Sequence, residues 1–562
     1  MAQPTTPPFK AIECRFAFYQ KSNQTDNDIH FVKEQIHNLD GTITPSTRMI
    51  KNYKREFYIT KKAYQNHNDK KEWEDITKLD VFKCTQTDLQ RSVAAALGKP
   101  WLKGGIRDLQ ESPYLYGTDI SSSALLKKDY KDKWKDVHTP YSVAGFDSET
   151  DVLYDTGQIK ILSITFKDRV FTAIDEAFVK GYSNVLERLQ ELAIKYMGDV
   201  IKDRNIKIEI KLCNTEIDIV KSVITKAHEW KPDFLTVWNI EFDMNKVIAA
   251  CERAGVTPES ILCDPSVPQE YRSFKFKAGP AKKITASGKV MSYKPAQRWH
   301  TVFCPASFYW IDGMCSYKHV RAGAPEETSY SLNAILDKTF EGKVQKLKFK
   351  EADEYTGLAW HQFMQKNYPL EYVVYNQFDC ICMEMQDEKI YDLQLSIPMF
   401  SGFSDFTNFN SQPKRAADDM HFFVKDNKQK IIGSTSYDMT EDFDDETTGL
   451  SDWIVMLQAN LDFENGLKII VENTELQTNL RAHCADIDIV GAYPSNTIVA
   501  NVSKETTRKE LINIEGIDEE TQRKQTINLS GGRVNAVEIC STLFGLPTLD
   551  VMLEAFKADI NQ

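Results

Sequence analysis

Hydrophobic and polar positions change their period along this chain. Near the start, Ala11-Ile12-Glu13-Cys14-Arg15-Phe16-Ala17-Phe18-Tyr19 reads as a short strand. The polar segment from Lys61 to Trp73 predicts a helical piece, and the basic stretch from Lys127 to His138 a connector. Ser142-Val143-Ala144-Gly145-Phe146 predicts a strand that runs into Asp147, and Ile159 to Phe166 a second strand with partial alternation. Glu216 to Trp230 has apolar residues at helical spacing. Phe234-Leu235-Thr236-Val237-Trp238 is short, apolar and bounded by Pro232, which predicts a buried parallel strand. Helical patterns return at Ser331 to Leu336 and from Leu370 onward. This strand–helix alternation predicts an α/β sheet between residues 140 and 385. From Gln386 to Leu480 the pattern is mixed, and the acidic run Asp438 to Glu446 reads as a solvated loop, its Asp442-Phe443-Asp444 included.

Length and composition narrow the class. At roughly 150 residues per domain, 562 residues predict three to four domains. Apolar residues at 42% are ample for several cores. No apolar run reaches the roughly 18 residues of a membrane span. Met1-Ala2-Gln3-Pro4-Thr5-Thr6-Pro7-Pro8 lacks the basic start and apolar stretch of a signal peptide. The 11 cysteines are scattered, and Cys380-x-Cys382 has the wrong spacing for a zinc half-site, so reduced thiols in a cytoplasm are expected.

A net charge of −12 weighs against nucleic-acid binding by the chain as a whole. Charge is local, however. Tyr271 to His300 contains six Lys, two Arg and no Asp or Glu, interleaved with Tyr271, Phe274, Phe276, Tyr293 and Trp299. Cations for phosphates beside aromatic faces for bases suit single-stranded nucleic acid. The plain alternative is a solvated basic hairpin.

Four acidic motifs carry the candidate chemistry. They are Phe146-Asp147-Ser148-Glu149, Asn239-Ile240-Glu241-Phe242-Asp243, Tyr375-Asn376-Gln377-Phe378-Asp379 and Asp488-Ile489-Val490-Gly491-Ala492-Tyr493-Pro494-Ser495. Two-metal phosphodiester cleavage needs several carboxylates around a cation pair, and Mg²⁺ takes hard oxygen ligands. Asp147 and Glu149 are two apart, which on a strand puts both carboxylates on one face. Asp243 follows a buried strand, where a carboxylate at the sheet end reaches the same point. Asp379 lies four residues after Tyr375, which on a helix puts both on one face.

The ordered set resembles the DEDD-type 3′→5′ exonuclease of family B DNA polymerases, in its tyrosine-bearing variant, and most closely the polymerases of T-even-type tailed phages. Phe57 to Lys62, Leu235 to Asn239 and Ser329 to Asn333 support the resemblance, which covers most of residues 50 to 500. It implies a multidomain α/β and α+β protein. A family B N-terminal domain would span 1–139 and return, with a connector, over 386–480. A ribonuclease H-like exonuclease domain would span 140–385, and an incomplete palm 481–562. Asp147, Glu149, Asp243 and Asp379 would hold two Mg²⁺ ions, and Tyr375 would help to place the attacking water. Asn239 and Phe242 would contact the 3′-terminal nucleotide. The basic hairpin from Lys282 to Trp299, with Lys282 and Lys283 on DNA, lies where the family carries a strand-transfer hairpin.

Asp488 to Ser495 resembles the first polymerase motif of that family. Asp488 would bind both polymerase Mg²⁺ ions, and Tyr493 would stack beneath the deoxyribose of a dNTP. Gly491 and Ala492 replace the usual Ser and Leu but keep the backbone N–H donors for triphosphate. The fingers-helix motif and the Asp-Thr-Asp-Ser motif that supplies the second aspartate are not found. The expectation is an exonuclease-bearing N-terminal subunit of a split DNA polymerase for phage genome replication. It would work on primer-template and single-stranded DNA in the cytoplasm of an infected bacterial host. A second polypeptide would supply fingers, remaining palm and thumb, and would link to any sliding clamp. The competing readings are a free-standing exonuclease with a relic palm and a non-catalytic scaffold that binds DNA or a partner.

Overall fold

The computed structural model describes residues 9–100, 105–135, 137–284, 290–394, 402–409 and 411–435, with short strands beyond them at 507–508, 526–529 and 532–535. The backbone divides into two compact units, residues 1–437 and 438–562. In the second unit the strands Thr507–Arg508, Thr526–Leu529 and Gly532–Asn535 form an antiparallel sheet in that order. No helix among the described residues is long and apolar enough to cross a membrane.

The first unit is mixed α/β and opens with an antiparallel meander of β1 (Phe9–Lys21), β2 (Asp28–Asn38) and β3 (Ile43–Lys51). Helix α1 (Ser122–Lys133) packs on this sheet, burying Leu126 and Tyr130 among Ile12, Ala17 and Val32. The basic stretch from Lys127 is therefore mostly helix, not connector. Ser121 caps the helix by accepting the Ala124 N–H, and Ala124, Leu125 and Leu126 supply buried side chains just upstream of the basic run. The helical piece expected from Lys61 to Trp73 is reduced to a single 3-10 turn at Lys62–Tyr64. None of residues 61–73 is buried, and a short helix with no face to pack is marginal in water. Trp73–Asp75 instead pairs antiparallel with Lys430–Ile432.

The segment that positions the acidic motifs alternates as the hydrophobic pattern predicts. Its elements are β4 (Val143–Thr150), β5 (Ile159–Phe166), β6 (Arg169–Asp175), α2 (Val185–Arg204), β7 (Lys207–Cys213), α3 (Glu216–Trp230), β8 (Phe234–Val237) and α4 (Ile240–Arg253), then β9 (Tyr309–Asp312), α5 (Gly313–Val320), α6 (Gly357–Asn367) and α7 (Pro369–Ile390). The strands form one six-stranded mixed sheet in the order β7-β6-β5-β4-β8-β9. β4, β5 and β6 are antiparallel neighbours, while β8 is parallel to both β4 and β9. All four residues of β8 are buried, as its unbroken apolar run requires.

Strand alternation divides the apolar residues between two cores. Ile161, Val170 and Ile174 face α2 and α7 on one side of the sheet. Leu162, Ile164, Phe171 and Ala173 face α3 and α4 on the other. α3 shows how the sequence pattern drives this layering. Thr215 caps it by accepting the Asp218 N–H, and Ile219, Val220, Val223 and Ile224 are wholly buried. Each such aliphatic side chain contributes about 1.5–3 kcal/mol relative to exposure.

A buried polar latch fixes the N-terminal meander to the start of β8. Lys33 Nζ donates to the carbonyls of Lys231, Pro232 and Ser307. Arg15 pairs with Asp233 at 3.3 Å, and Asp233 also accepts from the Ser142 N–H and hydroxyl.

Candidate functional site

β4 presents Asp147 and Glu149 on one face of the sheet. The register sets Asp147 opposite Ser163 and Glu149 opposite Ile161, on the side packed by α7. Phe146 points to the other side and meets Trp310 edge-on at 5.1 Å. α7 brings Tyr372, Tyr375, Asn376 and Asp379 to the same place, at the i, i+3, i+4 and i+7 spacing of one helix face. Ligand oxygens of Asp147, Glu149 and Asp379 lie within 4.8 Å of one another. Two carboxylates from β4 and one from α7, more than two hundred positions further along the sequence, thus share one point at the sheet.

Hydrogen bonds hold these carboxylates individually. Asn376 Nδ2 donates to Asp147 Oδ2 at 2.7 Å and to the Asp147 carbonyl at 3.2 Å. The Tyr372 hydroxyl donates to Glu149 Oε2. His361 Nδ1 lies 2.7 Å from that hydroxyl and 3.7 Å from the Glu149 carboxylate. The Tyr372 and Tyr375 rings stack with an interplanar angle of 7°. Lys346 Nζ donates to Asp379 Oδ2 at 2.5 Å and to the Tyr375 hydroxyl at 2.9 Å. Asp379 Oδ1 is buried and has no hydrogen-bond partner among the described residues.

Asp243 approaches by another route. Asn239, in the left-handed region at φ 71°, turns the chain into α4, and Asp243 sits in the first turn. Its Oδ1 accepts the Ser148 N–H at 3.0 Å and the Ser148 hydroxyl at 2.5 Å. It lies outside the trio that shares the 4.8 Å spacing, yet it is the charged neighbour that raises the Asp147 pKa most.

The electrostatics are those of acids crowded in a largely buried site. Burial first, and then Asp243, Glu149 and Asp379, push the Asp147 carboxyl well above the usual range. Burial lifts Glu149 to about 8, against the opposing hydrogen bond from Tyr372. Burial lifts Asp243 to about 7, against the two Ser148 donors. Asp379 is also raised by burial, with Lys346 opposing. Burial disfavours the Lys346 charge, but Asp379 and Asp147 outweigh it and hold the ammonium well above its ordinary value. Like charges drawn together in low dielectric produce shifts of this sense.

The remaining sequence candidates fall around or outside this cluster. Phe242 is 47% exposed, with Lys246 Nζ 5.3 Å from its ring centre. Lys282 and Lys283 stand in the strand Lys282–Ile284, which pairs antiparallel with Val290–Ser292 as a short two-stranded ladder. Lys282 is exposed. Asp488, Gly491, Ala492 and Tyr493 lie outside the described residues. The sequence motifs assign no role to Lys346, Tyr372, Asn376, His361 or Ser148. The helical period through Tyr375 and Asp379 points to Tyr372 and Asn376 as well, but no spacing marks Lys346.

No protein-family model matches the chain, and no curated protein matches it significantly.

Proposed function

We propose that this chain is a divalent-metal-dependent 3′→5′ DNA exonuclease whose site lies on a ribonuclease H-like sheet, of the kind that proofreads for family B DNA polymerases. The observation that carries the reading is the shared position of Asp147, Glu149 and Asp379, with the Asp379 Oδ1 atom buried and unpartnered among the described residues. An all-carboxylate donor set suits a hard cation such as Mg²⁺ rather than a soft one. Asp147, Glu149 and Asp379 would hold it, with Asp243 adding charge through its contact with Ser148. When bound, such cations stabilise charge on the attacking and leaving oxygens of a phosphodiester.

The chain's own groups account for the rest. Asn376 and Tyr372 orient the Asp147 and Glu149 carboxylates. Tyr375 holds a hydroxyl next to Asp379, where it can orient the attacking water. Lys346 keeps Tyr375 and Asp379 together and supplies positive charge for a phosphate. Phe242 offers an exposed ring next to the first turn of α4 for a terminal base.

The motif Asp488 to Ser495 extends the proposal toward a split polymerase. In that role Asp488 would be one polymerase metal ligand and Tyr493 the sugar platform. A second polypeptide would bring the other aspartate, the fingers and the thumb.

The test of the exonuclease is direct. With a 5′-labelled single-stranded oligonucleotide and Mg²⁺, the purified chain should give a ladder of products that keep the label. Asp147→Ala should lower the rate by several orders of magnitude, since charge stabilisation at the leaving oxygen is lost. Undiminished cleavage by Asp147→Ala, or in excess EDTA, refutes the proposal.

A further inference from the structure

We infer that Cys263 and Cys304 form a peroxide-oxidisable dithiol, which closes into a disulfide at the base of the basic hairpin. The sulfurs lie 3.7 Å apart, with the Cys304 thiol donating to Cys263 Sγ. Both residues are buried, at 3% and 7% exposure. Among the described cysteines, this is the pair whose sulfurs meet. Cys263 follows the short helix Pro258–Leu262, and Cys304 follows the strand Thr301–Phe303. That strand pairs with Lys275–Lys277. A bond between the two sulfurs would therefore close a ring that contains the whole basic segment from Lys275 to His300.

The two thiols are not equivalent. The hydrogen bond from Cys304, with help from the nearby Arg272 charge, holds Cys263 below the usual thiol range despite burial, while the Cys263 thiol donates to the Ser273 carbonyl. Burial and the contact with Cys263 push Cys304 far up. Cys263 is thus the nucleophile and Cys304 the resolving thiol. The Cys263 thiolate attacks one peroxide oxygen, the O–O bond breaks, and hydroxide leaves as water with the proton that Cys263 gave up. The product is a sulfenic acid on Cys263. Cys304 sulfur then attacks Cys263 sulfur, the S–O bond breaks, and the hydroxyl leaves as a second water with the Cys304 proton. Two thiols and one hydrogen peroxide give one disulfide and two waters, so the balance closes. Burial of both sulfurs selects a small oxidant over a bulky disulfide such as oxidised glutathione.

The experiment is peptide mapping of the whole chain after exposure to hydrogen peroxide, with free thiols alkylated before non-reducing digestion. The expected result is a cross-linked peptide joining Cys263 to Cys304, formed far more slowly with oxidised glutathione, and a rise in Tm that dithiothreitol reverses. Cys304→Ser should give no cross-link, no rise in Tm, and sulfenic acid trapped on Cys263. If that variant does not fold, Cys263→Ala should leave Cys304 unoxidised under the same treatment. Oxidation of other cysteines before this pair, or over-oxidation of Cys263 with no cross-link in the unmutated chain, overturns the inference.

Discussion

Gly145 on β4 stands directly beneath the Cys380 carbonyl on α7: a Cβ added at Gly145 would lie 2.3 Å from that oxygen. Glycine is what lets the helix approach the strand closely enough for Asp379, one residue before Cys380, to reach Asp147 and Glu149. The obstacle is backbone rather than a flexible side chain, so Gly145→Ala must displace the helix or the strand. Overpacking of this kind costs about 1–3 kcal/mol. The variant should unfold at lower denaturant and lose the proposed nuclease activity at the same time, since the shift separates the carboxylates. Urea unfolding and oligonucleotide cleavage measure the two effects. A variant that is less stable but fully active would show that the close approach serves packing alone.

Lys346 is the cation of the site as the chain builds it, and its partners Asp379 and Tyr375 are both on α7. Lys346→Met keeps the stem and removes the charge. Asp379 is buried but the Lys346 side chain is 27% exposed, so the loss of stability should fall short of the about 3–5 kcal/mol of a fully buried pair, and much of it should return when Mg²⁺ supplies the missing charge. Tyr375→Phe should slow cleavage more mildly, because in the proposed mechanism the phenol orients water and holds no metal. Thermal unfolding with EDTA or Mg²⁺, together with single-turnover cleavage, separates the two. Equal losses of rate in both variants would place the phenol in a more central role.

Why the sequence exposed some of this site and hid the rest has a physical cause. A strand followed by Asp-x-Glu, a buried apolar run ahead of Asn239, and a helix with Tyr375 and Asp379 on one face are local patterns, and each appears in the fold where its period placed it. α1 was obscured because a basic run draws attention to charge, while its buried residues Leu125 and Leu126 lie just ahead of that run. Lys61 to Trp73 has helical composition but no core to meet. Lys346 enters from a segment without regular structure between Thr339 and Lys350, so only the tertiary fold assigns it. Asp243 is legible as an acid in a motif, but its hold on Ser148 depends on how α4 packs against the sheet.

The raised carboxyl pKa values imply a definite pH dependence of stability. Glu149 moves from 4.5 to about 8 and Asp243 from 3.8 to about 7, with Asp147 and Asp379 also raised. Between their unfolded and folded values the native state binds more protons than the unfolded chain. Stability from these groups is therefore complete below about pH 4 and is lost as pH rises through about 7 to 8. Buried His30, His228 and His421 and half-buried His361, held down at about 4, act in the opposite sense below their ordinary 6.5. The difference between Mg²⁺ and EDTA isolates the carboxylates. Mg²⁺ should stabilise the chain little at about pH 5 and strongly at about pH 8. Equal stabilisation at both values would mean that the cluster is ionised throughout or does not bind the cation.

The basic hairpin makes a separate prediction about DNA. Lys282 and Lys283 occupy successive positions on a strand paired to Val290–Ser292, in a segment with no acidic residue from Tyr271 to His300. Each lysine that meets a phosphate releases counterions, and for single strands the slope of log K against log salt changes by about 0.7 per contact. Reversing both charges, Lys282→Glu with Lys283→Glu, should flatten the slope by roughly 1.4 and weaken binding at low salt. Fluorescence anisotropy in EDTA keeps the oligonucleotide intact during the titration. The single variants then show whether one lysine or both face the strand: two equal steps mean that both do, and one large step means that one does. A slope unchanged by the double reversal would make the hairpin a solvated basic ribbon with no part in binding DNA.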